Sequence, residues 1–206
     1  MSSFLSHLEW RHATKVFDPA KTVAEADLAK ILQAIRMAPT SFGLQPFHVE
    51  VVKDKATREK MRPHAWNQKQ ILSSSALLVF VANGKLAHRI DQYLEGLSAG
   101  NAEARAKMKE YEGMMRGALT TRSAEEQKVW AAKQAYIALG FGLAACAELA
   151  VDSCAMEGFT GSEFDKILGL PEGQNSVVLL AVGHRDPAVP PMPKFRFSDK
   201  DLFRRK

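Results

Sequence analysis

The chain has 206 residues, 46% hydrophobic and 25% charged, a length and composition that can bury a full core and that exclude a disordered chain. Lys and Arg number 28 against 23 Asp and Glu, a net charge of +5. That mild, scattered surplus suits an anionic small ligand better than a nucleic-acid groove, and no charge-free apolar run approaches the ~18 residues of a membrane span, so neither partner is expected.

In chain order, MSSFLSHLEWRH lacks the positive patch and apolar run of a secretory signal. Residues 2–9 read as a short helix with Phe4, Leu5 and Leu8 on one side, and 10–18 as a basic segment without period. Thr22 and Glu25 spell a capping box ahead of Leu28, Ile31, Leu32 and Ile35 at helical spacing, with Pro39 closing that helix. Residues 39–46, PTSFGLQP, are a loop, 47–53 alternate as a strand, and 55–62 suit a short helix. The apolar run 76–82 predicts a strand buried on both faces. From 86 to 122 the pattern is weak, charged and broken by Gly96, Gly100, Gly113 and Gly117, which suggests one or two exposed, mobile helices. Ser123 and Glu126 cap the longest helix, 124–150, whose later half is apolar all round and so expected in a core or against a second subunit. A strand at 153–157, a helix at 162–168 stopped by Gly169, and a strand at 176–183 follow. Pro187, Pro190, Pro191 and Pro193 make the tail from about 187 an extended arm. With no repeat and no linker, one α+β domain over 1–206 is expected.

Several chemistries lack a motif. G140-F-G-L-A-A145 matches a dinucleotide fingerprint, but it falls inside a helix with no strand before it, so close helix packing explains its small residues. The six histidines and two cysteines have no metal-ligand spacing, and no G-x-S-x-G elbow occurs. Ser73–Ser75 read as turn residues. Cys146 and Cys154 cannot build a disulfide framework, and free thiols suit a reducing cytoplasm.

What remains is a pair of basic sets and a polar loop. Arg11, His12 and Lys15 crowd five residues. Lys194 and Arg196, at i and i+2, point the same way on an extended arm. Each set alone is ordinary surface charge; together they can clamp a phosphate. The loop Pro39-Thr40-Ser41-Phe42-Gly43-Leu44-Gln45-Pro46 offers hydroxyls, an amide and a glycine.

RHATKVFD at 11–18, APTSFGLQPFH at 38–48, WNQK at 66–69, WAAKQAY at 130–136, AMEGF at 155–159, VVLLAVGHR at 177–185 and KFR at 194–196 span nearly the whole chain. In their order and spacing they resemble the oxygen-insensitive, FMN-dependent nitroreductase family, most closely its dihydropteridine reductase/nitroreductase branch. The resemblance implies a central, mixed, mainly antiparallel sheet flanked by helices. It also implies a homodimer with FMN at the interface, a C-terminal arm exchanged between subunits, and a helical excursion at about 91–122 that sets substrate range. Arg11 and His12, with Lys194 and Arg196, are expected at the FMN phosphate and ribityl end. Lys15 is expected near N1 and O2, where reduced flavin is negative. Pro39, Thr40, Ser41 and Gly43 would line the flavin, Asn67 would bond its pyrimidine edge, and Ala155, Met156, Glu157 and Gly158 would pass beneath it. Ser41, Phe42, Trp66 and Asn67 would face substrate. The chain departs from relatives at Ala13, Gly43 and Ala155, where they often carry serine, asparagine and proline; Ala13 then contacts flavin through its backbone alone. The implied activity is ping-pong reduction of nitroaromatics, quinones or related acceptors by NADH or NADPH. Flavin N5 carries the hydride, Lys15 and Glu157 tune it, and no catalytic side chain or metal is required. A narrower reductase of an enal, a pteridine or a semialdehyde fits the same residues, and a basic binding protein using 185–206 is the rival from another class.

Overall fold

The apolar runs near 80 and 180 become the two central strands of a four-stranded antiparallel sheet in the computed structural model, which describes residues 3–206. The strands are β1 (Phe47–Val52), β2 (Ala76–Asn83), β3 (Asp152–Met156) and β4 (Gln174–Gly183), in the order β1-β2-β4-β3. Ala76–Ala82 is buried throughout, as a central strand covered on both faces must be. Ala13 bridges Ser153 in parallel and Phe17 bridges Arg185 antiparallel, which extends the sheet beyond β3 and makes it mixed.

Alternation divides the core. Leu78, Phe80, Val178 and Leu180 face α2 (Glu25–Arg36) and α8 (Ala124–Glu148), whose Ile31, Ile35, Ala135 and Ala138 pack on them. Leu77, Val79, Val81 and Leu179 face the other side, where α3 (Lys55–Met61), α4 (Gln70–Ser73) and α9 (Gly161–Leu168) supply Met61, Ile71 and Phe164. Gly169 ends α9 with φ 64°, a conformation that suits glycine.

Two expectations change. The capping box at Thr22 does not form: α2 starts after Ala24, which has no side-chain cap. Ser75 Oγ accepts the Val23 N–H at 3.1 Å and ties the chain to β2 before the helix begins, while Glu25 pairs with Lys53. Residues 86–122 form three helices rather than one or two, and they are not simply exposed. In α5 (Leu86–Ser98), α6 (Ala102–Lys107) and α7 (Lys109–Thr120), Ile90, Leu94 and Met115 are fully buried and gather around Leu44 and Ala131 as a third core.

The capping box on α8 forms in both halves, Ser123 with Glu126. A Cβ on Gly142 would lie 3.0 Å from Ile35 Cγ1, so the 140–145 motif is close helix packing. By length and composition alone α8 is able to cross a membrane, yet its buried face forms this core. The first helix, α1 (Ser3–Trp10), packs on α8, and its predicted first residue, Ser2, lies outside the described residues. Beyond 187 the arm is exposed and irregular until α10 (Asp199–Leu202).

Candidate active site

The segment after α1 is tied to the sheet edge. Thr14 N–H donates to Ser153 O at 3.1 Å, and the buried Asp152 carboxylate accepts from Arg185 N–H at 2.8 Å and from Arg185 Nε at 2.6 Å. The Arg185 guanidinium stacks on the Trp10 ring, 4.6 Å from its centroid. Thr14 points inward, so Ala13 and Lys15 on either side point out.

This places Arg11, His12, Ala13 and Lys15 around a hollow of about 190 Å³ closed by Lys194, Phe195 and Arg196. Lys194 Nζ donates to Leu8 O at 3.1 Å and also to Glu9 O, so the arm returns to its own chain. The two basic sets therefore meet within one subunit, and arm exchange is not needed to join them. His12 Nδ1 lies 2.7 Å from Trp10 O; a carbonyl only accepts, so Nδ1 carries a proton. Burial lowers the Lys194 ammonium pKa, the positive charges of Arg11, Arg196 and Arg185 lower it further, and Glu9 opposes them. The hollow thus holds cations in excess of anions, which fits a bound phosphate.

Along the same edge, β3 runs into Ala155, Met156, Glu157 and Gly158. Trp66 faces this stretch from a turn in which it and Asn67 both have φ 53°, a left-handed conformation that asparagine tolerates but that costs the bulky Trp66 about 1 kcal/mol or more. The Trp66 ring lies over Gly158, where a Cβ would come within 2.6 Å of Cζ3; only glycine fits beneath it. Trp66 is nevertheless 75% exposed, so its ring is open to a ligand. Gln68 Nε2 donates to Gly158 O at 2.8 Å, and Thr160 N–H to His64 O at 2.8 Å, which laces the two segments together. Tyr136 Oη on α8 donates to Glu157 Oε1 at 2.6 Å and lies 3.3 Å from Val177 O. Burial, then the Glu157 carboxylate, pushes the Tyr136 phenol pKa up to about 12. Gln68 and Tyr136 lie inside the WNQK and WAAKQAY segments, where no local signal marks their partners.

The remaining expected residues stand elsewhere. Pro39, Thr40, Ser41, Phe42 and Gly43 precede β1, at the opposite edge of the sheet. Four strand spacings, about 19 Å, separate that edge from the Ala13 segment. Ser41 N–H donates to the buried Gln134 Oε1 at 2.9 Å and Gln45 N–H to Thr40 Oγ1 at 2.9 Å. One chain therefore unites Arg11, His12, Ala13, Lys15, Lys194 and Arg196, with Asn67 and 155–158 on the same edge, and holds 39–43 apart.

Among the described residues no three His, Cys, Asp or Glu side chains group to hold a metal ion. Both cysteines are free and buried, and burial pushes the Cys146 thiol pKa up to about 12, so that thiol stays protonated at neutral pH.

The family model for the nitroreductase family matches residues 8–184. YfkO of Bacillus subtilis strain 168, provisionally named an NAD(P)H nitroreductase, is 34% identical over 98% of this chain and 96% of its own. The crystal structure of the B. subtilis protein ydfN, provisionally a nitroreductase, superposes with a TM-score of 0.89 at 19% identity over 98% of each chain. A provisional nitroreductase of Exiguobacterium sibiricum, solved in complex with FMN, superposes with a TM-score of 0.87 at 17% identity over 100% of this chain and 98% of that one. Since the matched stretch takes in all four strands, the Arg11–Lys15 segment and the 39–43 loop, this chain belongs to the nitroreductase family.

Proposed function

We propose that the chain is an FMN-dependent NAD(P)H oxidoreductase that reduces nitroaromatics, quinones or related acceptors and works as a homodimer. The observation that carries this reading is the hollow in which Arg11, His12, Lys15, Lys194 and Arg196 converge with cations in excess. Its size and convergence suit one phosphate group rather than a nucleic-acid groove.

Arg11 and Arg196 would hold the FMN phosphate with forked hydrogen bonds, and Lys194 and His12 would add point donors. Lys15, exposed beside Ala13, would place a cation where reduced flavin is negative. Glu157, pinned by Tyr136, would keep 155–158 fixed beneath the ring, and Asn67 would bond the ring edge. FMN, when bound, supplies the two-electron relay between nicotinamide and acceptor. Trp66 and Phe42 offer apolar faces on which either planar partner can stack.

Opposite-edge placement of 39–43 supports the dimer, since a second copy would bring that loop over the first copy's β3 edge. Exposed Phe4, Leu5 and Leu8 on α1, with Ile137 and Phe141 on α8, form the apolar face such a copy would cover. Buried free thiols support residence in a reducing cytoplasm.

The test is a visible spectrum of protein purified without added flavin, followed by anaerobic addition of NADH and NADPH. Flavin bands that bleach with either nicotinamide are expected. Colourless protein that fails to take up added FMN would overturn the reading.

A further inference from the structure

We propose that Tyr93 and Tyr111 are positioning residues that clamp the loop 42–44 and thereby set which acceptors the site takes; this rests on the reading that Phe42 borders the acceptor. Phe42 adopts φ 57° and ψ 8°, a left-handed conformation that a bulky residue keeps only when its surroundings hold it. The excursion helices supply that hold at three successive residues. Tyr111 Oη on α7 lies 3.4 Å from Phe42 O, and the two rings meet edge to face with centroids 6.3 Å apart. Tyr93 on α5 lies against Gly43, where a Cβ would be 3.0 Å from Oη and 3.2 Å from Cε2. Arg89, one turn before Tyr93, donates from Nε to Leu44 O at 2.9 Å.

Gly43 is the residue that makes this possible. A side chain there would displace Tyr93, which packs with Tyr111 against the same buried cluster and whose pKa is raised by burial first and by the neighbouring Tyr111 second. The two phenols form one unit seated on a gap in the loop. Ile90, Leu94 and Met115 anchor that unit in a fully buried cluster with Leu44. The excursion therefore helps to fix the orientation of the Phe42 ring, while Gln134 of α8 holds the neighbouring Ser41 N–H. A fixed ring is a preorganised stacking surface, and it favours larger planar acceptors over small ones.

The test compares wild-type holoenzyme with Tyr111→Phe and Gly43→Asn. Tyr111→Phe removes the hydroxyl and keeps the ring. Asparagine tolerates the positive φ at position 43 but places a Cβ against Tyr93. KM and kcat are measured with a one-ring quinone (benzoquinone) and a two-ring quinone (menadione), and benzoate binding is read from the flavin difference spectrum. In both variants the menadione-to-benzoquinone KM ratio is expected to rise by more than about twofold, since each loosens the seat of the Phe42 ring although the 3.4 Å contact of Tyr111 is itself a weak hydrogen bond. Benzoate affinity should fall with it, while Tyr111→Phe retains kcat at saturating acceptor. A wild-type flavoenzyme whose two variants keep the KM ratio and benzoate affinity within about twofold overturns the clamp alone. Wild-type protein that binds no flavin overturns the underlying reading, and the clamp with it.

Discussion

Replacing Asp152 with alanine strands a cation beside the proposed cofactor site. The carboxylate is 5% exposed and accepts two short bonds from Arg185, at 2.6 and 2.8 Å; the Thr14 hydroxyl at 3.4 Å adds little. Arg185 Nη2 also sits 2.6 Å from Oδ1 but lacks hydrogen-bond alignment, so Nε is the effective donor. Removing one partner of a buried ion pair costs about 3–5 kcal/mol. The Arg185 side chain is 26% exposed and stacked on Trp10, so water and the indole retain some of its solvation. That places Asp152→Ala near the lower end, about 3 kcal/mol, or a Tm fall of roughly 6–12 °C for a chain of this size. Replacing both residues, as Asp152→Ala with Arg185→Met, removes the stranded charge and should cost less than the two single changes together by about 1.5 kcal/mol or more. Urea unfolding followed by far-ultraviolet circular dichroism, at one protein concentration, gives all four stabilities. Single costs that add to within about 0.5 kcal/mol would show the residues uncoupled and refute the argument.

Arg11→Ala and Arg196→Ala should each weaken FMN binding by roughly 10- to 100-fold, the worth of a charge-assisted bond, in a flavin-fluorescence titration; unchanged affinity in both removes the clamp. Lys15→Ala should lower the flavin midpoint potential in spectroelectrochemistry, since it removes the cation that favours reduced flavin. Gly142→Ala, with its Cβ 3.0 and 3.1 Å from Ile35, should cost about 1–3 kcal/mol. Gly113→Ala, which meets nothing within 4 Å on α7, should instead gain up to about 1 kcal/mol in the same urea assay. Stability should fall as pH rises from 9 towards 12. The unfolded Cys146 thiol ionises above its ordinary 9.0 while the folded one, pushed up to about 12, does not, and Tyr136 acts in the same direction above 10. A urea midpoint constant over that window would contradict both.

Strong periodic signals carried the fold. The runs at 76–82 and 176–183 became β2 and β4, and Ser123 with Glu126 capped α8. In the excursion a burial signal lies beneath a charged, glycine-broken pattern. Leu86, Ile90 and Leu94 recur every four residues, while the glycines belong to an open side, where Gly96, Gly113 and Gly117 meet nothing within 4 Å. Thr22 failed as a cap because Ser75, more than fifty residues away, had bound Val23 first. At the site, Arg11, Lys15, Lys194 and Arg196 were legible as charge. Gln68, Tyr93, Gln134 and Tyr136 were not assigned roles, since each takes its function from a partner many residues distant. Asp152 opens a strand with no local pattern to mark it, and only the fold sets it against Arg185.

The course of α8 bears on how such enzymes can be rebuilt. Its first turns supply Ala131 to the excursion's core, with Trp130 packed against it, and its next turns supply Ala135, Ala138 and Leu139 to the central one. The excursion has no floor of its own. A chimera that imported 86–122 from a relative would set foreign helices on this chain's Trp130, Ala131 and Leu44 and leave a mismatched seam. Exchange of acceptor range by grafting requires the opening turns of α8 and the 42–44 loop to travel with the insert, so the natural unit of recombination is discontinuous in sequence.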